Sequence, residues 1–325
     1  MKVMPDFARR LVADRPASTP GWRSWLRYTM NVVILCASAY FVVRTMAGQF
    51  RELTTVASVI EPLLYPALVA LAMLSMVITA LLHGEVLRNV ASGPMSMTRV
   101  CYAYALSQLA RYVPGKLFGV ILEAQLLSPA VTIKEIVVAT IAQTGIVYVW
   151  VGALTIGILG GVRAHSPWPV AALPLMLAVV WLAHRNRWYA RMADRLTVGK
   201  REVRPSRDID ERARRRAPWI VVLLLSQWLP FVAVWALLAG PEQSSTTVMW
   251  LTASYLLASI GGSLLVLIPS GLVVREAAFM WLGVMQGIPG PTLLTWALVV
   301  RIVLTLADVL VVPPLWLLSY RRSST

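Results

Sequence analysis

Seven ionisable side chains lie in or beside long apolar stretches: Arg111, Lys116, Glu123, Arg275, Glu276, Arg301 and Asp308. A charge at mid-bilayer costs about 2.5–3.5 kcal/mol on insertion scales, so each must face protein or water. One outcome is structural: interhelical pairs, or long side chains that snorkel to the interface, as Arg111 and Lys116 can do. The other is an anion site. Arginine offers a fixed fork of donors that matches phosphate oxygens. Helix starts beside Pro/Gly breaks add free backbone N–H groups and a positive dipole end. Lys116 and Glu123 are seven apart, which puts them on one helix face two turns apart, and Arg301 and Asp308 repeat that spacing. Arg275 and Glu276 are adjacent and point about 100° apart on a helix. They are therefore expected not to satisfy one another, with one of them reaching a partner in another segment. The candidate anion site is Arg111, Lys116, Glu123, Arg275, Glu276 and Arg301.

The segments that carry these residues set the class. The chain has 325 residues, 58% hydrophobic and only 14% charged, and its mean hydropathy is +0.68. Soluble domains are roughly 45–50% apolar and about 25% charged, so a polytopic all-α membrane protein is expected. Spans are predicted over 28–46, 61–82, 136–160, 169–183, 219–239 and 292–320. Two further apolar stretches, 99–127 and 248–286, are broken by Pro114-Gly115 and by Gly261-Gly262 with Pro269-Ser270-Gly271. Proline and glycine disfavour helix interiors, so both stretches predict broken or re-entrant hairpins. Such backbone is tolerated at membrane depth only where protein or a watery cavity covers it.

The domain reading is a cytoplasmic segment over 1–27, a membrane domain over 28–320 and a cytoplasmic tail over 321–325. A basic loop, 184–217, holds twelve Lys/Arg against five Asp/Glu and separates the halves 61–160 and 219–320. With six spans and two hairpins, the basic loops fall on one face, which the positive-inside rule makes cytoplasmic, together with both termini. The expected location is the cell (inner) membrane. Each half runs span, broken hairpin, span, and Pro114-Gly115-Lys116-Leu117 parallels Pro269-Ser270-Gly271-Leu272, with Glu123 and Glu276 following. The hairpins enter from opposite sides, which predicts an inverted repeat with a substrate site at its interface.

The net charge of +15 is mostly this topology, and no motif supports nucleic-acid binding. Two cysteines, Cys36 and Cys101, and three scattered histidines, His83, His165 and His184, leave no basis for a metal cluster. No glycine loop followed by Lys-Ser/Thr points to ATP hydrolysis, and no cofactor is expected. Tryptophans such as Trp22, Trp168, Trp219, Trp250 and Trp316 stand near span ends, as an interfacial belt requires.

The stretch Ala110-Arg111-Tyr112-Val113-Pro114-Gly115-Lys116 is similar to a G-K-Y-x-P-G-K motif. Ile268-Pro269-Ser270-Gly271-Leu272-Val273-Val274-Arg275-Glu276-Ala277 is similar to a P-x-G-x-G-x-R-E-A motif, with Val273 in place of a glycine. Arg301 matches a basic position in the last span. The chain thus resembles the flippase-like transmembrane region of lysylphosphatidylglycerol synthases and of stand-alone relatives linked to glycolipid assembly. The resemblance spans most of 28–320, though only the two motifs are specific. It does not extend to the synthases' soluble aminoacyl-transferase domain, so lysyl-lipid synthesis is not implied. It implies a flippase-like, non-enzymatic protein that moves an anionic phospholipid or a polyprenyl-phosphate-linked saccharide. Two other readings stand beside it: a membrane-embedded transferase, and a non-catalytic partner of a cytoplasmic glycosyltransferase. Against the transferase, neither glutamate has a histidine nearby in sequence.

Overall fold

A computed structural model describes residues 61–91, 95–110, 117–164, 168–186, 188, 191, 207–264 and 274–321. The predicted span 28–46, the N-terminal segment 1–27 and most of the loop 184–206 lie outside the described residues. So do Arg111, Pro114, Gly115, Lys116, Pro269 and Gly271.

The described residues form ten principal helices and no strand. They are α1 Leu64–Val90, α2 Met97–Leu109, α3 Leu117–Leu127, α4 Ile133–Ala164 and α5 Trp168–Arg185. Then follow α6 Arg207–Ala239, α7 Ser245–Leu264, α8 Val274–Val284, α9 Gly290–Leu310 and α10 Val312–Arg321. Four segments are long and apolar enough to cross a membrane: Leu64–Val90, Ile133–Gly160, Arg214–Ala239 and Gly290–Arg321. Only about a third or less of the apolar window is buried in the first three. Their outward faces carry Leu74, Ile141, Ile156, Leu225 and Leu229. Helices apolar on the outside as well as the inside are suited to lipid rather than water. The coarse class is therefore an all-helical protein with the composition of a membrane protein.

Local sequence explains the boundaries. Thr132 and Glu135 open α4 with reciprocal bonds: the Thr132 amide donates to Glu135 Oε2 at 2.9 Å, and the Glu135 amide donates to Thr132 Oγ1 at 3.3 Å. Ser244 accepts from the Thr247 amide at 3.1 Å at the start of α7. Gly240, at φ 78°, ends α6 in the left-handed conformation that glycine adopts without penalty. The last predicted span divides at Val311, because Pro313 and Pro314 lack the N–H groups that would continue α9, but fit the first turn of α10. Residues 207–217, read as loop, are the first three turns of α6. Helix α1 runs to Val90 rather than 82, with Arg88 held by Glu85 at 3.3 Å and by the Met95 carbonyl at 3.1 Å.

Both broken stretches are antiparallel helix pairs, but Gly261-Gly262 does not break the second as expected: α7 runs through both glycines to Leu264. Arg99, at the start of α2, donates from Nη2 to the Leu126 carbonyl at the end of α3 at 2.7 Å. Toward the tip, a Cβ on Gly119 would lie 2.8 Å from the Ser107 carbonyl oxygen, so only glycine lets α3 come this close to α2. In the second pair, Trp250 Nε1 donates to the Leu282 carbonyl at 3.4 Å near the base. Nearer the tip, Tyr255 meets Phe279 with ring centroids 5.5 Å apart.

Helix α1 is the central element, packing on α2, α4, α6 and α9. Around its C-terminal half, Leu82, Val86, Leu87 and Val90 form a core with Val100, Leu127, Ile136, Val180 and Ile220. Around its N-terminal half, Leu68 and Ala72 join Trp235, Leu251, Phe279, Leu293 and Val300. The base of the first hairpin therefore packs at the C-terminal end of α1, and the base of the second at its N-terminal end. Arg88, Arg99, Lys134, Arg185 and Arg214 all lie at the end marked by the first core.

Candidate functional site

A cavity of about 540 Å³ opens where the two hairpins approach each other. From the tip-proximal turns of the first hairpin come Gln108, Gly119 and Glu123. The second hairpin supplies Ser259, Ser263 and Arg275. The remaining wall comes from the middle of the long helices: Ser75 and Thr79 of α1, Gln143 and Tyr148 of α4, Gln227 of α6, and Arg301 and Asp308 of α9. Polar groups at these positions would be costly against lipid, and gathering them around one cavity removes that cost.

The cationic part of the wall is built on the first turn of α8. Glu276 is buried, and its Oε1 accepts from Arg275 Nη2 at 2.9 Å, from Arg275 Nε at 3.3 Å and from Arg301 Nη1 at 3.4 Å. The sequence expectation that adjacent Arg275 and Glu276 do not pair is thus corrected. The long, flexible arginine side chain spans the angle between neighbouring helix positions and reaches the carboxylate beside it. The accompanying expectation, that one of the two reaches another segment, is met by Glu276 and Arg301 of α9. Arg275 also lies over the Tyr255 ring, its Cζ 5.2 Å from the centroid. Tyr255 is itself fixed against Trp235 and Phe279. One carboxylate behind the wall thus orients two guanidiniums from different helices.

The acidic part is Glu123, whose partner the sequence reading did not find. His83 of α1, fully buried, sets Nε2 2.7 Å from Glu123 Oε1, and its Nδ1 lies 2.7 Å from Gln143 Oε1. The imidazole stacks on Tyr104 with centroids 4.5 Å apart. The Gln143 amide donates to the Thr79 carbonyl at 3.2 Å, and the Gln227 amide donates to Thr79 Oγ1 at 2.9 Å. The signal available in sequence was polarity alone: Gln143 and Gln227 interrupt predicted spans, and His83 stands directly after one. Tyr148 and Ser263 join α4 to α7 through a hydroxyl–hydroxyl bond.

Glu123, Arg275 and Arg301 therefore share one cavity, with Glu276 directly behind it. Asp308 lines the same wall, as its seven-residue spacing from Arg301 predicts. Arg111 and Lys116 lie outside the described residues. Among the described residues, the wall carries two basic side chains, Arg275 and Arg301, and two acidic ones, Glu123 and Asp308. Glu276, directly behind the two arginines, adds a third carboxylate. Among the described residues no group of three or more His, Cys, Asp or Glu is placed to hold a metal ion.

No family model, no curated protein and no solved structure matches the chain. The fold and cavity define the class on their own terms: among the described residues, an all-helical arrangement with four apolar helices long enough to cross a membrane, and a polar cavity at their mid-height.

Proposed function

We propose that the chain carries a phosphate-bearing lipid head group across a membrane, its cavity taking the head group while the tail stays in lipid. The substrate class is an anionic phospholipid or a polyprenyl-phosphate-linked saccharide. The observation that carries this reading is the pair Arg275 and Arg301: two guanidiniums from different helices, oriented by one buried carboxylate, on the wall of a cavity at the middle of the long helices. Guanidinium pairs of this kind suit phosphate oxygens.

Two access states are needed for transport, and we infer an inverted repeat as their source. Its support is the order span, hairpin, span in α1–α4 and again in α6–α9, with hairpin bases at opposite ends of α1. The concentration of Arg and Lys at one end supports placing that end in the cytoplasm of a cell membrane. The family resemblance of the motifs around Pro114 and Pro269 points the same way. The transferase alternative gains one observation, a histidine partner for Glu123, but that histidine is fully buried behind the glutamate.

The test is reconstitution in liposomes with fluorescently labelled lipids, read by dithionite quenching of the outer leaflet. Faster loss of the protected pool is expected for phosphatidylglycerol and polyprenyl phosphate than for a phosphate-free glycolipid. Rates equal to protein-free liposomes, or equal for the phosphate-free lipid, would remove the proposal. Chemical conversion of the labelled lipid would favour the transferase.

A further inference from the structure

We infer that the His83–Glu123 pair is a proton-binding site facing the cavity, and that its protonation is coupled to anion binding there. The inference rests on the head-group reading above and supplies its charge balance.

The hydrogen-bond chain that ends at this pair has a fixed polarity. The Thr79 carbonyl can only accept, so the atom of Gln143 that meets it is the amide nitrogen. The Gln143 oxygen is then the atom 2.7 Å from His83 Nδ1, and Nδ1 must carry its proton. Gln227 likewise donates to Thr79 Oγ1, which donates onward to the Ser75 carbonyl at 2.8 Å. Every proton along this chain is assigned except one. At the 2.7 Å contact between His83 Nε2 and Glu123 Oε1 a single proton is required, and either atom can hold it. The pair is neutral overall, as imidazole with carboxylic acid or as imidazolium with carboxylate.

Of the two, Glu123 is the member on the cavity wall, whereas His83 is enclosed. One further proton taken from the cavity gives imidazolium and carboxylic acid, with a net charge of +1, and releasing it restores the neutral pair. Around the pair stand Tyr104 of α2, stacked on the imidazole, and Tyr148 of α4. The same cavity is lined by Arg275 of α8 and by Arg301 and Asp308 of α9. Glu85 and Arg88 lie farther along α1 and bond each other. A purely structural contact at this depth would be built more cheaply from apolar side chains. Among the described residues, Glu276 and Asp308 offset the charges of Arg275 and Arg301 when ionised, so a proton taken up by the His83–Glu123 pair adds a positive charge for a phosphate. Coupling is reciprocal, so the anion favours the protonated pair, and anion binding weakens as pH rises.

The experiment uses the full chain with His165→Gln and His184→Gln, so that His83 is its sole histidine, labelled with 15N and held in nanodiscs. Short-chain phosphatidylglycerol is the probe. Nδ1 should be protonated throughout, and the His83 signals should change with pH. The midpoint should move upward when the probe is added. In proteoliposomes, phosphatidylglycerol translocation should be about tenfold faster below that midpoint than above it, inside the 5–150-fold range of site–site coupling. Glu123→Gln should flatten that profile. His83 signals that do not change with pH or probe would overturn the inference, whatever the lipid assay gives. Translocation with a parent-like pH profile in a folded Glu123→Gln protein would overturn it too, while leaving the transport reading intact. A probe-dependent midpoint without lipid movement would support the proton site and remove the transport reading instead.

Discussion

Glu276→Gln tests how the two arginines are held. In the parent, one carboxylate oxygen takes three donor contacts, two from Arg275 and one from Arg301, at 2.9–3.4 Å. Unit charges about 4 Å apart attract by about 4 kcal/mol at an effective dielectric of 20. Most of that offsets the cost of removing the charges from water, so the measurable quantity is the penalty for breaking the set. Removing one partner of a buried pair costs about 3–5 kcal/mol. Glutamine keeps one oxygen acceptor but leaves two guanidiniums without their shared counter-charge, so a loss of about 3 kcal/mol is expected. The assay is unfolding of the purified protein in a fixed detergent, by denaturant titration with tryptophan fluorescence. Combining Glu276→Met with Arg301→Met should recover part of the loss, because Arg301 is then not left facing the lost carboxylate. A Glu276→Gln protein within about 0.5 kcal/mol of the parent, the usual range for unconnected sites, would refute the reasoning.

Other consequences follow from packing and charge. Gly119→Ala must push α3 away from the Ser107 carbonyl. A stability loss of about 1–3 kcal/mol is expected in the same titration, and an unchanged protein would mean the hairpin is looser than described. Ser206→Cys, in a chain with Cys36 and Cys101 replaced, should resist an impermeant maleimide in intact cells and react after permeabilisation. Ready labelling from outside would reverse the orientation drawn from the basic residues.

Much of this fold was legible because proline and glycine leave a strong local mark. The breaks around Pro114 and Pro269 announced two helix pairs, and α2–α3 and α7–α8 are those pairs. The shared cavity was legible for a different reason: charges in apolar sequence must converge somewhere. What could not be read is partnership. His83 and Glu123 are 40 residues apart, and nothing in either span indicates which polar group in another helix it will meet. Register between packed helices decides that. The Arg275–Glu276 contact departs from the expectation because a long arginine side chain can bridge the angle that separates adjacent helix positions. Helix ends shifted for a related reason: Glu85 and Arg88 look like a loop in composition, yet satisfy each other on the last turns of α1.

The proposed binding of the head group by Arg275 is tested by translocation of labelled phosphatidylglycerol per folded molecule for Arg275→Ala, with Arg275→Lys beside it and thermal stability measured on the same preparations. Arg275→Ala should abolish transport in protein that still folds. Arg275→Lys should retain part of it, since the charge survives and the two-pronged geometry does not. Normal transport by folded Arg275→Ala, or a defect accounted for entirely by lost folded protein, would contradict the account and leave Arg275 as a structural partner of Glu276.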